Sequence, residues 1–203
     1  MYVVGLTGGI ACGKSEVSRR LQAKGLPIVD ADIISRKLVE PGQPLLAELA
    51  DNFGDGILHP DGSLDRGRLG QLVFDDRDLL QQLNALMHPA IWKECLRCLG
   101  ELRERCQVAV LVVPLLYEHN GDALVDTVWV VACSEALQLQ RLQERDHLTE
   151  AQAYARIKTQ MPIDKKVERA DYVILNEGTL EDLQREVDLA LEILHEQMSP
   201  AAV

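Results

Sequence analysis

Aromatic residues are scarce in this 203-residue chain: two Trp, four Tyr and two Phe, or 4%. With 47% apolar residues, the core must therefore be built mainly from aliphatic side chains. Positive charge is also short, 21 Lys and Arg against 32 Asp and Glu for a net −11. That balance argues against nucleic acid or an anionic membrane as the main partner. No apolar run is long enough to span a bilayer, and the N-terminus lacks a basic segment followed by a cleavage site. The expectation is a cytoplasmic protein whose first strand begins at Tyr2. Five cysteines, an odd number, do not make a disulfide framework in a chain of this length and read as reduced thiols. Cys95-Leu96-Arg97-Cys98 is a lone C-x-x-C, and neither Cys106 nor His88 stands at a finger-like spacing from it, so it reads as helix thiols. There is no internal repeat or low-complexity tract. The length suits one compact domain with one or two insertions.

Against these absences stands one strong motif. Gly8-Gly9-Ile10-Ala11-Cys12-Gly13-Lys14-Ser15 fits G-x-x-x-x-G-K-[ST] without a mismatch. The apolar run Tyr2-Val3-Val4-Gly5-Leu6 precedes it, and a helical segment from Glu16 to a stop at Gly25 follows, with Val17 and Leu21 on one face. Strand, glycine loop and helix are the context in which backbone N–H groups converge on a phosphate. Gly8 and Gly13 allow the tight turns, Lys14 is expected to reach the β/γ-phosphates, and the Ser15 hydroxyl is expected to ligate Mg²⁺. Cys12, among phosphate-facing amides near Lys14, is expected to favour the thiolate, to alkylate readily and to be protected by bound ATP.

Five valine-rich segments read as buried parallel strands: 2–7, 26–30, 108–113, 127–132 and 172–175. Ser134 can open a helix through about Arg145, Thr149 with Gln152 forms a capping-box pattern, and Thr179 with Asp182 starts a last helix striped with Leu180, Leu183, Val187, Leu191 and Leu194. Nearly eighty residues separate the second and third strands, with helical periodicity over 45–53, 79–87 and 90–106 and turn signals at Pro41-Gly42, Gly54-Asp55-Gly56 and Pro60-Asp61-Gly62. This span is expected to be a helical insertion near the carboxyl edge of the sheet, where open α/β sheets bind ligands. His88-Pro89 is expected to start one of its helices.

Val29-Asp30-Ala31-Asp32 ends the second strand, and residues two apart on a strand share a face, so both carboxylates are expected to look into one cleft. A kinase needs such a group to orient its acceptor hydroxyl and take the proton; the bland alternative is a helix N-cap. The third strand runs into Pro114-Leu115-Leu116-Tyr117-Glu118, with no Asp at its tip. Mg²⁺ is therefore expected to rely on Ser15, phosphate oxygens and waters, and Glu118 reads equally as a supporting carboxylate or a loop charge. From 141 to 169 the acidic chain turns basic, with seven Lys or Arg against five acids. Arg141 and Arg145 share a helix face there, suited either to transferring phosphoryl oxygens or to surface pairing with Glu144 and Asp146.

Together these motifs resemble the dephospho-coenzyme A kinase family. The likeness covers Leu6-Thr7-Gly8-Gly9-Ile10, Gly13-Lys14-Ser15, Asp30-Ala31-Asp32-Ile33-Ile34 with Arg36, Asp61-Gly62-Ser63-Leu64-Asp65-Arg66 and His88-Pro89-Ala90-Ile91. It continues through Val113-Pro114-Leu115-Leu116-Tyr117-Glu118, Gln140-Arg141 with Arg145-Asp146, Gln160-Met161-Pro162, and Ala170-Asp171-Tyr172-Val173-Ile174 with Asn176 and Gly178. The resemblance implies an α/β P-loop kinase core with a five-stranded parallel sheet in the order 2-3-1-4-5, a helical substrate-binding insertion and a small helical lid. The corresponding division is 1–31, 107–140 and 170–203 for the core, 32–106 for the insertion and 141–169 for the lid.

The resemblance further implies transfer of a phosphoryl group from ATP to the ribose 3′-hydroxyl of dephospho-coenzyme A, the last step of coenzyme A biosynthesis. Asp32 is the implied acceptor base, with Lys14 and Arg141 acting on the phosphoryl group. Residues 8–16 together with Arg141, Arg145, Asn176 and Gly178 are the implied ATP contacts. Thr7, Asp30, Asp32, Arg36, His88, Pro114, Leu115 and Glu118 are implied on the substrate side. Two departures stand out: Cys12 replaces a serine or other small residue, and Glu16 replaces a threonine, where its charge is expected to weaken ATP binding. A kinase for a sugar or shikimate-like alcohol would share the loop, although the large insertion favours a bulky acceptor. A guanine-nucleotide switch would need more than Asp51-Asn52-Phe53-Gly54, which follows a helical pattern, and no N-K-x-D segment is present.

Overall fold

Short runs of β-branched residues, buried on both faces, become the centre of the molecule. In the computed structural model, which describes residues 1–74 and 76–198, five strands form one sheet. Asp75 of the expected insertion and residues 199–203 of the expected last core segment lie outside the described residues. The strands are β1 (Tyr2–Gly8), β2 (Ile28–Asp30), β3 (Val108–Val112), β4 (Thr127–Ala132) and β5 (Tyr172–Leu175), in the order β2-β3-β1-β4-β5. β1 runs parallel to both neighbours, pairing Val4 with Val110 on one side and Leu6 with Trp129 on the other. β4 and β5 pair in parallel through Val131 and Ile174.

The larger of two structural units comprises Met1–Val29 and Leu102–Val203. Its helices are α1 (Lys14–Ala23), α6 (Glu135–Asp146), α7 (Glu150–Ile157), α8 (Ile163–Glu168) and α9 (Leu180–Met198). Val17 and Leu21 of α1 and Leu183, Val187, Ala190 and Leu194 of α9 cover Val4, Leu6, Val110, Val112 and Val131. Trp129 and Tyr172 supply a tilted ring pair 5.8 Å apart within this mainly aliphatic core. The caps expected from sequence are in place: Thr149 and Gln152 form a capping box, and Thr179 and Asp182 exchange bonds at the start of α9.

The second unit, Asp30–Glu101, is helical. Its elements are α2 (Ala31–Lys37), α3 (Pro44–Phe53), a 3₁₀ turn (Asp55–Ile57), α4 (Arg66–Phe74) and α5 (Arg77–Leu102). Leu45, Leu46, Leu49, Ile57, Leu69 and Val73 form its core. The expected break at His88-Pro89 does not occur, because Pro89 lies inside the continuous α5. Leu79, Leu83, Leu86, Met87 and Ala90 pack against that core on both sides of the proline, so tertiary burial outweighs the lost backbone bond. The D-x-x-G at Asp51 is the end of α3, closed by Gly54 at φ 83°.

Candidate active site

β1 delivers the chain into the loop at Gly8, where a Cβ would stand 2.5 Å from the Val131 carbonyl oxygen. The loop then turns: Cys12 N–H donates to the Gly9 carbonyl at 3.2 Å, with Ala11 at φ 59°. A non-glycine residue in that conformation is strained, and side chains from far along the chain hold it. Gln160 Oε1 accepts from Ile10 N–H at 3.0 Å, and the buried Asn176 donates from Nδ2 to the Cys12 carbonyl at 2.8 Å. Gly13 follows at φ 92°, where a Cβ would meet Asn176 Nδ2 at 2.1 Å. This position is closed to any side chain by both conformation and space.

Lys14 and Ser15 open α1, and no side chain caps it. The first N–H groups of a helix lack intrahelical partners, so this terminus presents donors and a positive dipole end to an anion. Ser15 is exposed at that mouth. The repulsion expected from Glu16 is offset locally, since Arg19 pairs with its Oε2 and Arg20 Nε lies 2.9 Å from Oε1. Cys12 differs from expectation: it is fully buried, in contact with Cys133, and belongs to the hydrophobic core. The hydrogen bond with Cys133 and then burial push its thiol far up, so the loop thiol is not a readily alkylated thiolate.

A second set of contacts joins the end of β3 to the 141–169 segment. The Pro114 carbonyl accepts from Thr7 Oγ1 at 3.0 Å and from Lys166 Nζ at 2.9 Å. Lys166 is fully buried and also lies 2.9 Å from Glu118 Oε1, which accepts Met161 N–H at 2.9 Å. Burial opposes ionisation of Glu118, yet the Met161 amide and Lys166 hold its carboxyl below the ordinary range. Glu118 is thus a bonded, partly buried carboxylate rather than a solvated loop charge. Leu115 lies half-buried beside Pro114.

The basic segment divides by partner. Arg145 and Arg156 both bind Asp146, Lys165 binds Glu168, Lys158 lies over the Tyr154 ring, and Arg169 reaches Asp122 and the Tyr117 ring. Arg141 is different: among the described residues of this segment it alone has a buried guanidinium nitrogen, Nη1, without a partner. A buried donor with no acceptor is costly and suits a site completed by an anion. At the start of α6, Glu177 accepts from Ser134 N–H and Oγ, next to Asn176 and Gly178.

Asp30, Asp32, Arg36 and His88 belong to the helical unit. The expectation that both carboxylates share a strand face is corrected, because β2 ends at Asp30 and Asp32 is in the first turn of α2. Asp30 Oδ1 accepts from Asp32 N–H at 2.8 Å and Ile33 N–H at 3.2 Å, making it the helix N-cap. Asp32 and Arg36 are exposed, and His88 is half-buried within α5. The sequence reading missed the loop-holding roles of Gln160 and Asn176 and the burial of Lys166. Only the quoted Gln160-Met161-Pro162 and Asn176 segments marked their neighbourhoods, since the loop partners lie far along the chain, 150 residues away for Gln160 and 164 for Asn176.

Comparison with known proteins follows the same lines. A family model described as dephospho-CoA kinase matches residues 2–182. A dephospho-CoA kinase from Thermosynechococcus vestitus is 45% identical over 192 residues, 94% of each chain. Among solved structures, TT1252 from Thermus thermophilus superposes with a TM-score of 0.83 at 31% identity, over 98% of both chains. The dephospho-CoA kinase from Campylobacter jejuni gives 0.75 at 25% identity, over 97% of this chain and 98% of its own.

Proposed function

The chain belongs to the dephospho-CoA kinase family, and on that premise we propose that it transfers the γ-phosphoryl group of ATP to the ribose 3′-hydroxyl of dephospho-coenzyme A, giving coenzyme A and ADP. The observation that carries the reading is the uncapped N-terminus of α1, set behind a strained turn that Gln160 and Asn176 hold in shape. Such a cradle fits a nucleotide's phosphates without further special groups.

Phosphoryl transfer asks the protein mainly for positioning and charge stabilisation. Backbone N–H groups at the start of α1 and Lys14 bind the triphosphate, while the Ile10 and Cys12 N–H groups stay engaged in shaping the loop. Arg141 brings its unpartnered Nη1 to the transferring oxygens. Asp32 orients the acceptor hydroxyl and accepts its proton late. Asp30 supports it as the cap of the same helix turn. Arg36, His88, Pro114 and Leu115 contact the acceptor, while Thr7 directly, and Glu118 through Lys166, hold the Pro114 turn. Gly178 follows the Asn176 turn on the adenine side, and Arg145, one turn after Arg141 on α6, adds positive charge on the ATP side while pairing with Asp146.

Among the described residues no three His, Cys, Asp or Glu side chains gather as a metal site. The exposed Ser15 hydroxyl is the group that would hold Mg²⁺, together with phosphate oxygens and water. When bound, the ion supplies charge neutralisation on the β/γ-phosphates. The segment 141–169 serves as the lid, tethered by Gln160 and Lys166, and its closure excludes water. Five free cysteines fit a reducing, cytoplasmic setting. Among the described residues no helix is long and apolar enough to cross a membrane.

The test is incubation of the purified protein with Mg-ATP and dephospho-coenzyme A, read by mass for a product one phosphoryl group heavier. Shikimate and simple sugars serve as competing acceptors. ATP hydrolysis with no phosphorylated coenzyme, or preference for a small alcohol, would overturn the assignment.

A further inference from the structure

Two thiols touch beneath the phosphate loop. Cys12 Sγ and Cys133 Sγ are 3.4 Å apart, both side chains are buried, and both belong to the main hydrophobic cluster. Cys12 is part of the loop, and Cys133 is the first residue after β4. A disulfide bond spans about 2.05 Å, so joining the pair draws the sulfurs together by roughly 1.4 Å. The two sulfurs are not equivalent. The hydrogen bond with Cys12, opposed by burial and by Glu177 and aided by Arg141, holds the Cys133 thiol below its ordinary range. The Cys12 thiol is pushed up. The other cysteines lack such a partner geometry: Cys95 is buried in α5, where burial raises it to about 12, and Cys98 contacts Glu94.

We propose that Cys12 and Cys133 form a reversible disulfide, with a hydroperoxide as oxidant, and that this bond weakens nucleotide binding by displacing the phosphate loop. In the first step the Cys133 thiolate attacks a peroxide oxygen, forming S–O as O–O breaks and hydroxide leaves. In the second, the Cys12 thiol attacks the Cys133 sulfenic sulfur; S–S forms, S–O breaks, and the oxygen departs as water with the Cys12 proton. Two thiols give up two electrons and the peroxide takes both. A dithiol reductant reverses the bond by exchange. Transient, sensing disulfides of this kind are the sort that reducing compartments retain.

The loop has little room to absorb the change. Its Cys12 carbonyl is held by Asn176 at 2.8 Å, its Ile10 amide by Gln160 at 3.0 Å, and its entry is pressed against Val131. A misplacement on the order of 1 Å in a positioning group can cost about 10²-fold. The thiol chemistry is independent of the kinase assignment; only its effect on nucleotide affinity rests on that reading.

The experiment treats the purified full-length protein with hydrogen peroxide, alkylates remaining thiols, and maps peptides by mass spectrometry without reduction. Binding of a fluorescent ATP analogue is measured before oxidation, after it, and after dithiothreitol. A Cys12–Cys133 linked peptide, with affinity lower by about 10- to 10²-fold and restored by dithiothreitol, supports the proposal. Cys133→Ser should bind the nucleotide like wild type and keep that affinity through peroxide, with Cys133→Ala as the substitute if serine impairs folding. Unlinked or irreversibly oxidised thiols would overturn the proposal. So would a linked form that binds as tightly as the reduced one, or variants inactivated as fast as wild type. If the reduced protein binds no nucleotide, the kinase reading fails while the peptide map still judges the thiol pair.

Discussion

The two structural units use polar side chains over different distances. In the sheet unit, the bonds that shape the phosphate loop and the β3 end join residues far apart in sequence: Thr7 to Pro114 across 107 positions, Gln160 to Ile10 across 150, Asn176 to Cys12 across 164. In the helical unit, the carboxylates mostly serve their own turn. Asp30, Asp61, Asp65 and Asp76 each accept from backbone two or three residues ahead. A parallel sheet brings distant strand ends to one edge, so its edge chemistry is assembled by long-range contacts. Helices close their bonds locally, and only apolar faces need tertiary partners. Damage in the first unit should therefore travel, while damage in the second should stay near the altered residue.

The largest expected effect comes from the helical unit and is confined to chemistry. Asp32→Asn should lower kcat by about 10²–10⁴-fold while leaving ATP affinity and thermal stability nearly intact. Turnover like wild type would remove Asp32 from the mechanism.

In the sheet unit, Lys166→Met should cost roughly 3 kcal/mol in urea unfolding, the lower end for breaking a buried pair, because Glu118 keeps some exposure. It should also loosen the 158–169 segment and raise KM for ATP. The folded carboxyl of Glu118 lies below its ordinary value of 4.5. Its contribution is therefore full above that pH and is lost as pH falls through the lower folded value. Glu118→Gln should flatten this acid limb of the stability curve. An unchanged limb would mean that other carboxylates carry it.

Gly13→Ala should cost on the order of 1–3 kcal/mol from the left-handed backbone alone, about 5- to 150-fold if expressed as ATP affinity. Adding Asn176→Ala relieves the close contact but not the φ of 92°, so recovery should be partial. Full recovery in nucleotide titrations would show that crowding, not conformation, fixes this position.

The smallest effect separates the two aspartates. Asp30→Ala should destabilise by about 1 kcal/mol through loss of the α2 cap, and Asp30→Ser should restore stability. If the serine variant is stable yet loses kcat as severely as Asp32→Asn, Asp30 has a chemical role besides capping.

Much of the fold was legible because it rests on local pattern. Valine-rich runs marked all five strands, Thr149 with Gln152 marked a helix start, and residues 8–15 announced the phosphate loop. The misreadings arose where two local rules competed. His88-Pro89 looked like a boundary, but the apolar stripe from Leu79 to Ala90 carried one helix through it. Asp-Ala-Asp looked like a strand tip, but capping by Asp30 put Asp32 on a helix. Cys12 was judged by its neighbours in sequence, whereas its protonation is governed by a sulfur 121 positions away.

The sequence by itself determined the kinds of element, the anion-binding loop and the family, because propensity, capping and glycine geometry act within a few residues. Only the tertiary structure decided which charges are spent and which remain available. Lys166 is buried against Glu118 and Pro114, Arg145 is bound to Asp146, and Arg141 keeps an open donor. Those three cations lie within one short stretch of chain. Burial and partner supply distinguish them, and both depend on what the sheet brings alongside.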